Sequence, residues 1–266
     1  MLWSAVFISA LFSLVEAADH VAPPDTARAA DVIFLGEIHD NPAHHEVQAA
    51  WVAALRPGAI VFEMLTEEQV ARITPALRAD RTALEAALQW ESAGWPDFDM
   101  YFPIFAAAPD ARIIAAAVPR DRLGALMAED LAAVAGPEVT ARFTLDRPLA
   151  PQDQAAREAL QDAAHCDALP DDLLPRMVSV QRLRDAALAQ AALVGLADEG
   201  GPVVVITGNG HARTDWGAPA LLRQAAPEVL VFALGQSEAA VPPDGAFDHV
   251  LDAPAVDRGD PCDAFR

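Results

Sequence analysis

The chain has 266 residues, 53% of them apolar, much of that alanine, and a formal net charge of −21 with a pI near 4.5. The length suits one large core with helical insertions. The charge argues against nucleic acid, whose phosphates would be repelled with no Lys/Arg cluster to offset them, and disfavours docking on anionic lipid.

The chain opens on MLWSAVFISALFSLVEA, residues 1–17. Leu2 to Val15 is an apolar run of signal-peptide length, and Val15-Glu16-Ala17 resembles a small-x-small cleavage site. The run is short for a membrane span, and its n-region has no Lys or Arg. The expectation is a signal peptide over 1–17, one domain over 18–266 and a periplasmic location, with no cysteine after the run to carry a lipid.

Five short apolar runs read as strands: DVIFLG (31–36), AIVFEM (59–64), ARIIAAAV (111–118), PVVVITG (202–208) and EVLVFALG (228–235), with DHVLDA (248–253) a weaker sixth. They are continuous rather than alternating, which suits parallel strands covered on both faces. Alanine-rich helical stretches separate them, so the fold class is α/β: a mainly parallel central sheet flanked by helices. After the first strand, Asn41 is a natural N-cap and Pro42 fits the first turn. His44, Val47, Trp51, Ala54 and Leu55 are expected on the inward face, and RPG (56–58) stops the helix. Residues 65–108 and 120–200 read as helical insertions, with AGWPDFDMYFP (93–103) an irregular break.

Titratable residues fall just past the strands. Glu37 and His39 follow the first, Glu63 ends the second, Arg120 follows the third, and His211 and Arg213 follow the fourth. In a parallel sheet all these ends lie on one edge, where open α/β folds bind ligands. Glu63 sits between apolar neighbours in IVFEML, and a buried carboxylate needs a partner such as Arg120 or a histidine. Glu37, His39, Glu63 and His211 could hold a divalent metal or act as general acid and base. Gln181, Arg184 and Asp185 share a helix face at i, i+3 and i+4, with Arg184 and Asp185 either a surface pair or in a role beside the pocket, for which His44 is a further candidate. Cys166 and Cys262 are expected to form one disulfide in an oxidising compartment. No nucleophile elbow is present for a Ser–His–Asp hydrolase.

FLGEIHDNPAHHEVQ, VFEML, MYFPIF, AAVPR, MVSVQRLRDAALA and ITGNGHARTDWGAP, in order from about residue 30 to 235, together resemble the ChaN-like haem-binding proteins of the Tiki superfamily. The resemblance implies an erythromycin-esterase/ChaN-like core and an exported protein that binds haem and is associated with iron acquisition. It also implies a tyrosine ligand, a homodimer around haem and service to an outer-membrane haem-uptake system. Tyr101 is the chain's one tyrosine; a phenolate suits ferric iron, and Trp95, Phe98, Phe102 and Phe105 could cover a macrocycle. Arg120, Arg184 and Arg213 are the candidates for propionate pairing. Gly36-Glu37-Ile38-His39 has the form of the wider superfamily's hydrolytic Gly-Glu/x-x-His motif. Two readings therefore stand side by side: a haem-binding protein, and a metal-dependent, esterase- or peptidase-like hydrolase. A structural protein whose strand-end residues only satisfy one another is the third.

Overall fold

A computed structural model describes residues 22–260, 262 and 263; the expected signal peptide lies outside them. Each apolar run forms a strand: β1 Val32–Leu35, β2 Ala59–Phe62, β3 Arg112–Ala115, β4 Val203–Ile206, β5 Val231–Glu238 and β6 His249–Ala253. Every pairing is parallel and the order is β3-β2-β4-β1-β5-β6. Alternate side chains enter two cores. Ile33, Leu35, Ile60, Phe62, Val204 and Ile206 pack on one face, and Val32, Phe34, Ala59, Val61, Val203 and Val205 on the other. Coverage on both faces explains why the runs are continuous in the sequence.

The Pro42–Leu55 helix, which carries β1 over to β2, packs in the first core through Trp51 and Val52. The Ala218–Ala225 helix, which carries β4 over to β5, packs in the second through Leu222. The neighbouring strands β1 and β4 thus send their chains to opposite faces. Their carboxyl ends mark the topological switch point of a doubly wound sheet, and the two chains stay paired just past it, the Asn209 amide donating to the Glu37 carbonyl at 2.9 Å.

Two local expectations are corrected. Asn41 does cap the Pro42–Leu55 helix, accepting from the Ala43 amide at 3.0 Å. The buried face of that helix, however, is His44, His45, Gln48, Trp51 and Val52, while Ala54 is exposed. The helix is turned so that His45 and Gln48 reach the strand end, a polar demand that apolar periodicity does not register. The aromatic segment is a helix, Phe98–Ala107, capped by Asp97 on the Asp99 amide at 2.9 Å. The exposed Pro103 removes one backbone bond without stopping it.

Cys166 and Cys262 form a disulfide with Cα atoms 5.6 Å apart, closing a separation of 96 residues. In the chain-entropy account such a loop contributes roughly 4–5 kcal/mol. Among the described residues no helix is long and apolar enough to cross a membrane.

Candidate functional site

Two hydrogen-bonded clusters occupy the switch-point edge. The first is built on Glu37, immediately past β1 and 2% exposed. Its Oε1 accepts from His39 Nδ1 at 2.6 Å and from the Tyr101 hydroxyl at 2.9 Å, and its Oε2 accepts from Gln48 Nε2 at 2.7 Å. Gln48 also donates to the Leu35 carbonyl, and His45 Nε2 donates to the His39 carbonyl at 2.9 Å. Burial acts to raise the Glu37 pKa, but the His39 hydrogen bond and the His45 and His39 charges outweigh it, and the net shift is downward. For His39 burial opposes the charge, yet the bond to Glu37 and its negative charge prevail and lift it to about 9.

The second cluster joins β2, β4 and the long Leu174–Glu199 helix. Glu63 Oε2 accepts from the Thr207 hydroxyl at 2.6 Å and from the Gly208 amide at 2.9 Å. Its Oε1 lies 3.6 Å from His211 Nε2, while His211 Nδ1 donates to Asp185 Oδ1 at 2.6 Å. His211 therefore sits between two carboxylates. Burial lowers its pKa, but Glu63 and Asp185 overcome that and the net shift is upward. Asp185 is raised, chiefly by burial, with His211 offsetting part of it. Glu63 is held at about 2: burial pulls it up, and the charges of His211 and His39 with the two donated hydrogen bonds pull it further down.

The sign for Glu63 fixes an acid dependence. Its folded pKa lies below the ordinary 4.5, so its stabilisation is complete above pH 4.5 and fades as pH falls towards 2. His211, shifted upward, does not titrate in that window. Glu63→Gln is expected to lose less stability than wild type between pH 6 and pH 3 in urea unfolding. Parallel losses in the two proteins would mean that Glu63 is not a charged acceptor in the fold.

A cleft of about 390 Å³, lined by Glu63, Met64, Trp95, Arg120, Arg184 and Leu188 among others, adjoins one of about 400 Å³. The second includes His39, Glu63, Gln181, Arg184, Asp185 and His211. Glu63 and Arg184 belong to both. The His39 side chain is 34% exposed, its ring edge-on to Trp95 at 5.0 Å between centroids. Nothing among the described residues bonds its Nε2.

Other expected site residues lie elsewhere or act differently. His44 is fully buried; its Nδ1 accepts from the Ile38 amide at 2.9 Å and its Nε2 faces the Ser237 carbonyl. Burial lowers its pKa, and its work is to hold the β1 and β5 ends together. Arg213 is 5% exposed, forked onto Asp215 with both contacts at 2.6 Å and stacked over Trp216, so it has no free fork for a propionate. Arg120 is exposed and Arg184 half-buried, and neither pairs with a carboxylate among the described residues. Asp185 and Arg184 are not a surface pair, because Asp185 is 3% exposed and committed to His211.

Tyr101 is placed inside the core. It has no exposed surface, its ring packs on His45 and Trp90, and its hydroxyl donates to Glu37. Burial and the Glu37 charge push its pKa up, away from phenolate. Phe98 and Phe105 are core residues, Phe105 stacking on Phe62 at 4.4 Å. Of that aromatic set only Trp95 lines the cleft. Nor do the expected metal donors converge on one point: Glu37 and His39 pair in one cluster, and Glu63, His211 and Asp185 in the other. Among the described residues no group of three or more His, Cys, Asp or Glu is arranged to hold an ion.

Sequence reasoning missed His45, Gln48 and Thr207 as partners of the carboxylates, and Asn209 and Gln236, which exchange two hydrogen bonds across the β4 and β5 ends. The His45–Gln48 spacing at i, i+3 was the available signal. The others are short polar residues after strands, with no pattern to mark them.

A model of the family described as haem-binding uptake, Tiki superfamily, ChaN matches residues 24–222. Among solved structures, the one titled cofacial heme binding to ChaN of Campylobacter jejuni shares the fold. It has 19% identity and a TM-score of 0.59, over 80% of this chain and 84% of that one. More distant are the type III effector HopBA1, at 14% identity and TM-score 0.47 over 86% and 89%, and the erythromycin esterase EreC, at 14% and 0.44 over 85% and 73%. No curated protein matches the chain.

Proposed function

The chain belongs to the haem-binding uptake family of the Tiki superfamily that includes ChaN, and from that premise we propose that it binds haem in the cleft at the carboxyl edge of its sheet. The observation that carries this placement is His39. Its Nδ1 is fixed by Glu37 at 2.6 Å while Nε2 has no protein partner in a half-exposed ring. A histidine whose second nitrogen donates to a carboxylate is oriented and made more basic for a metal. With the His39 pKa at about 9, iron takes the place of the Nε2 proton on binding, and imidazole is an established axial ligand of haem iron.

The surroundings fit the rest of the molecule. Trp95, Met64 and Leu188 offer apolar surface, and Arg184 and Arg120 are unpaired cations for the propionates. Haem here is cargo, and the chain's contribution is to bind it and orient it. His39 thus replaces Tyr101 as the proposed ligand, because the phenol is sealed beneath Glu37.

The proposal extends to export into the periplasm, to a role in iron acquisition with an outer-membrane uptake system, and to a homodimer around haem. The apolar run of residues 1–17 and the Cys166–Cys262 disulfide support export. The cofacial haem binding stated for ChaN of Campylobacter jejuni motivates the dimer.

The test is a ferric haem titration of the disulfide-intact chain, followed by absorbance and by sedimentation. Saturable uptake with a shifted Soret band, and dimers forming as haem is added, are expected. Unsaturable uptake would remove the proposal. The acid–base hydrolase reading, favoured by His211 held between Glu63 and Asp185, would then take its place without its metal.

A further inference from the structure

Adjoining the 400 Å³ cleft, and sharing Arg157, Asp185 and Trp216 with it, is a cavity of about 360 Å³ lined also by Arg147, Arg182 and Asp215 among others. Its charge runs against that of the chain, whose formal net charge is −21. Three guanidinium groups face one space, and its two carboxylates are already engaged, Asp185 by His211 and Asp215 by Arg213. Among the described residues none of the three has a carboxylate within 4.0 Å. The only hydrogen bond among them is donated by Arg182 to the Arg147 carbonyl at 3.1 Å.

Arg157 is the most telling. Its Nε is buried and has no hydrogen-bond partner, a condition that native structures rarely leave unanswered. Its guanidinium sits over the Trp216 ring at 4.9 Å, and Arg213 stacks on the same ring at 3.6 Å. Trp216 therefore positions the cation without neutralising it. Burial lowers the pKa of both Arg157 and Arg182, with the Arg213 charge adding to it for Arg157 and the Arg157 charge for Arg182, while Asp185 offsets part of each shift. Like charges gathered at half-buried positions are costly, and a bound anion relieves the cost.

We propose that Arg157, Arg182 and Arg147, around the cavity beside Trp216, form an oxyanion-binding subsite next to the haem cleft, which takes a phosphate or carboxylate group. The chemistry is that of the guanidinium fork, which meets either group with two parallel N–H donors. Because three cations converge, a doubly charged group is favoured over a single carboxylate.

The experiment is calorimetric titration of the full, disulfide-intact chain at fixed ionic strength, with inorganic phosphate and separately with succinate. Saturable binding of at least one probe is expected. It should weaken tenfold or more in Arg157→Gln and in Arg182→Gln, and stay unchanged in Arg120→Gln, which lies outside this cavity. Arg157→Lys keeps the charge over Trp216 but loses the fork, and should fall between Arg157→Gln and wild type, which separates recognition from folding. Preference for phosphate assigns a phosphoryl ligand, and preference for succinate a carboxylate one. Absence of saturable binding for both probes, or equal binding in the Gln variants and wild type, would overturn the subsite. Arg182 lines this cavity and not the two clefts around Glu63, so haem titration is expected to be unaffected by Arg182→Gln, and with that variant this proposal and the haem reading fail independently.

Discussion

Replacing Glu37 by alanine is expected to destabilise the protein by about 3–5 kcal/mol, the range for removing one partner of a buried, hydrogen-bonded charged pair. The carboxylate accepts from His39, Tyr101 and Gln48, and Tyr101 and Gln48 are fully buried. Without it, the phenol and the amide lose an acceptor in a space closed to water, and each orphaned donor costs on the order of 1–3 kcal/mol. His39 loses the bond that orients its ring. Haem affinity should therefore fall as well, by the roughly 10–100-fold seen when the support of a metal-ligating histidine is removed. Glu37→Gln keeps the shape and one acceptor and should lose less on both counts. Urea unfolding reads the first effect and haem titration the second. A Glu37→Ala protein with wild-type stability would show that the network is incidental to the fold.

The second large effect concerns Gly36, one residue earlier. A Cβ there would come within 2.8 Å of the Leu234 carbonyl and press on the side chain of Asn209, with Ala212 Cβ 3.2 Å away. The neighbouring backbone cannot retreat, because the Gly36 amide donates to that same Leu234 carbonyl at 2.8 Å and β1 is paired with β5 throughout. Asn209 is no freer, tied by two hydrogen bonds to the backbone of Gln236. Gly36→Ala is expected to cost about 3 kcal/mol, the upper part of the range for overpacking. Gly210 supplies the control: a Cβ there meets nothing within 4 Å, and Gly210→Ala should lie within about 0.5 kcal/mol of wild type. Equal thermal midpoints for the two variants would contradict the close approach of β1, β5 and the turn after β4.

What was legible in the sequence follows from which forces leave a linear trace. Burial on both faces writes continuous apolar runs, so the sheet was readable down to its edge. Even the weak run at 248–253 is the parallel strand β6, its pattern blurred because it pairs on one side only and is largely exposed. The parallel topology then brings Glu37, His39, Glu63 and His211 to one edge, as the spacing of charges after strands suggested. Which atoms they use was not readable. Asp185 looks like half of a surface ion pair until the fold buries it against His211, and Tyr101 looks like a ligand until Phe98–Ala107 proves helical and turns the phenol inward. Gln48 and Thr207 close the network through single hydrogen bonds across long sequence separations, which no local pattern encodes.

We propose that His39 at the strand-edge cleft, and not the buried tyrosine, holds the iron. The most direct test is the absorbance of ferric haem titrated into His39→Ala and Tyr101→Phe alongside wild type. His39→Ala is expected to lose the wild-type Soret and charge-transfer bands and to bind at least about tenfold more weakly, while Tyr101→Phe keeps both spectrum and affinity. Loss of the bands in folded Tyr101→Phe, with His39→Ala unchanged, would contradict it.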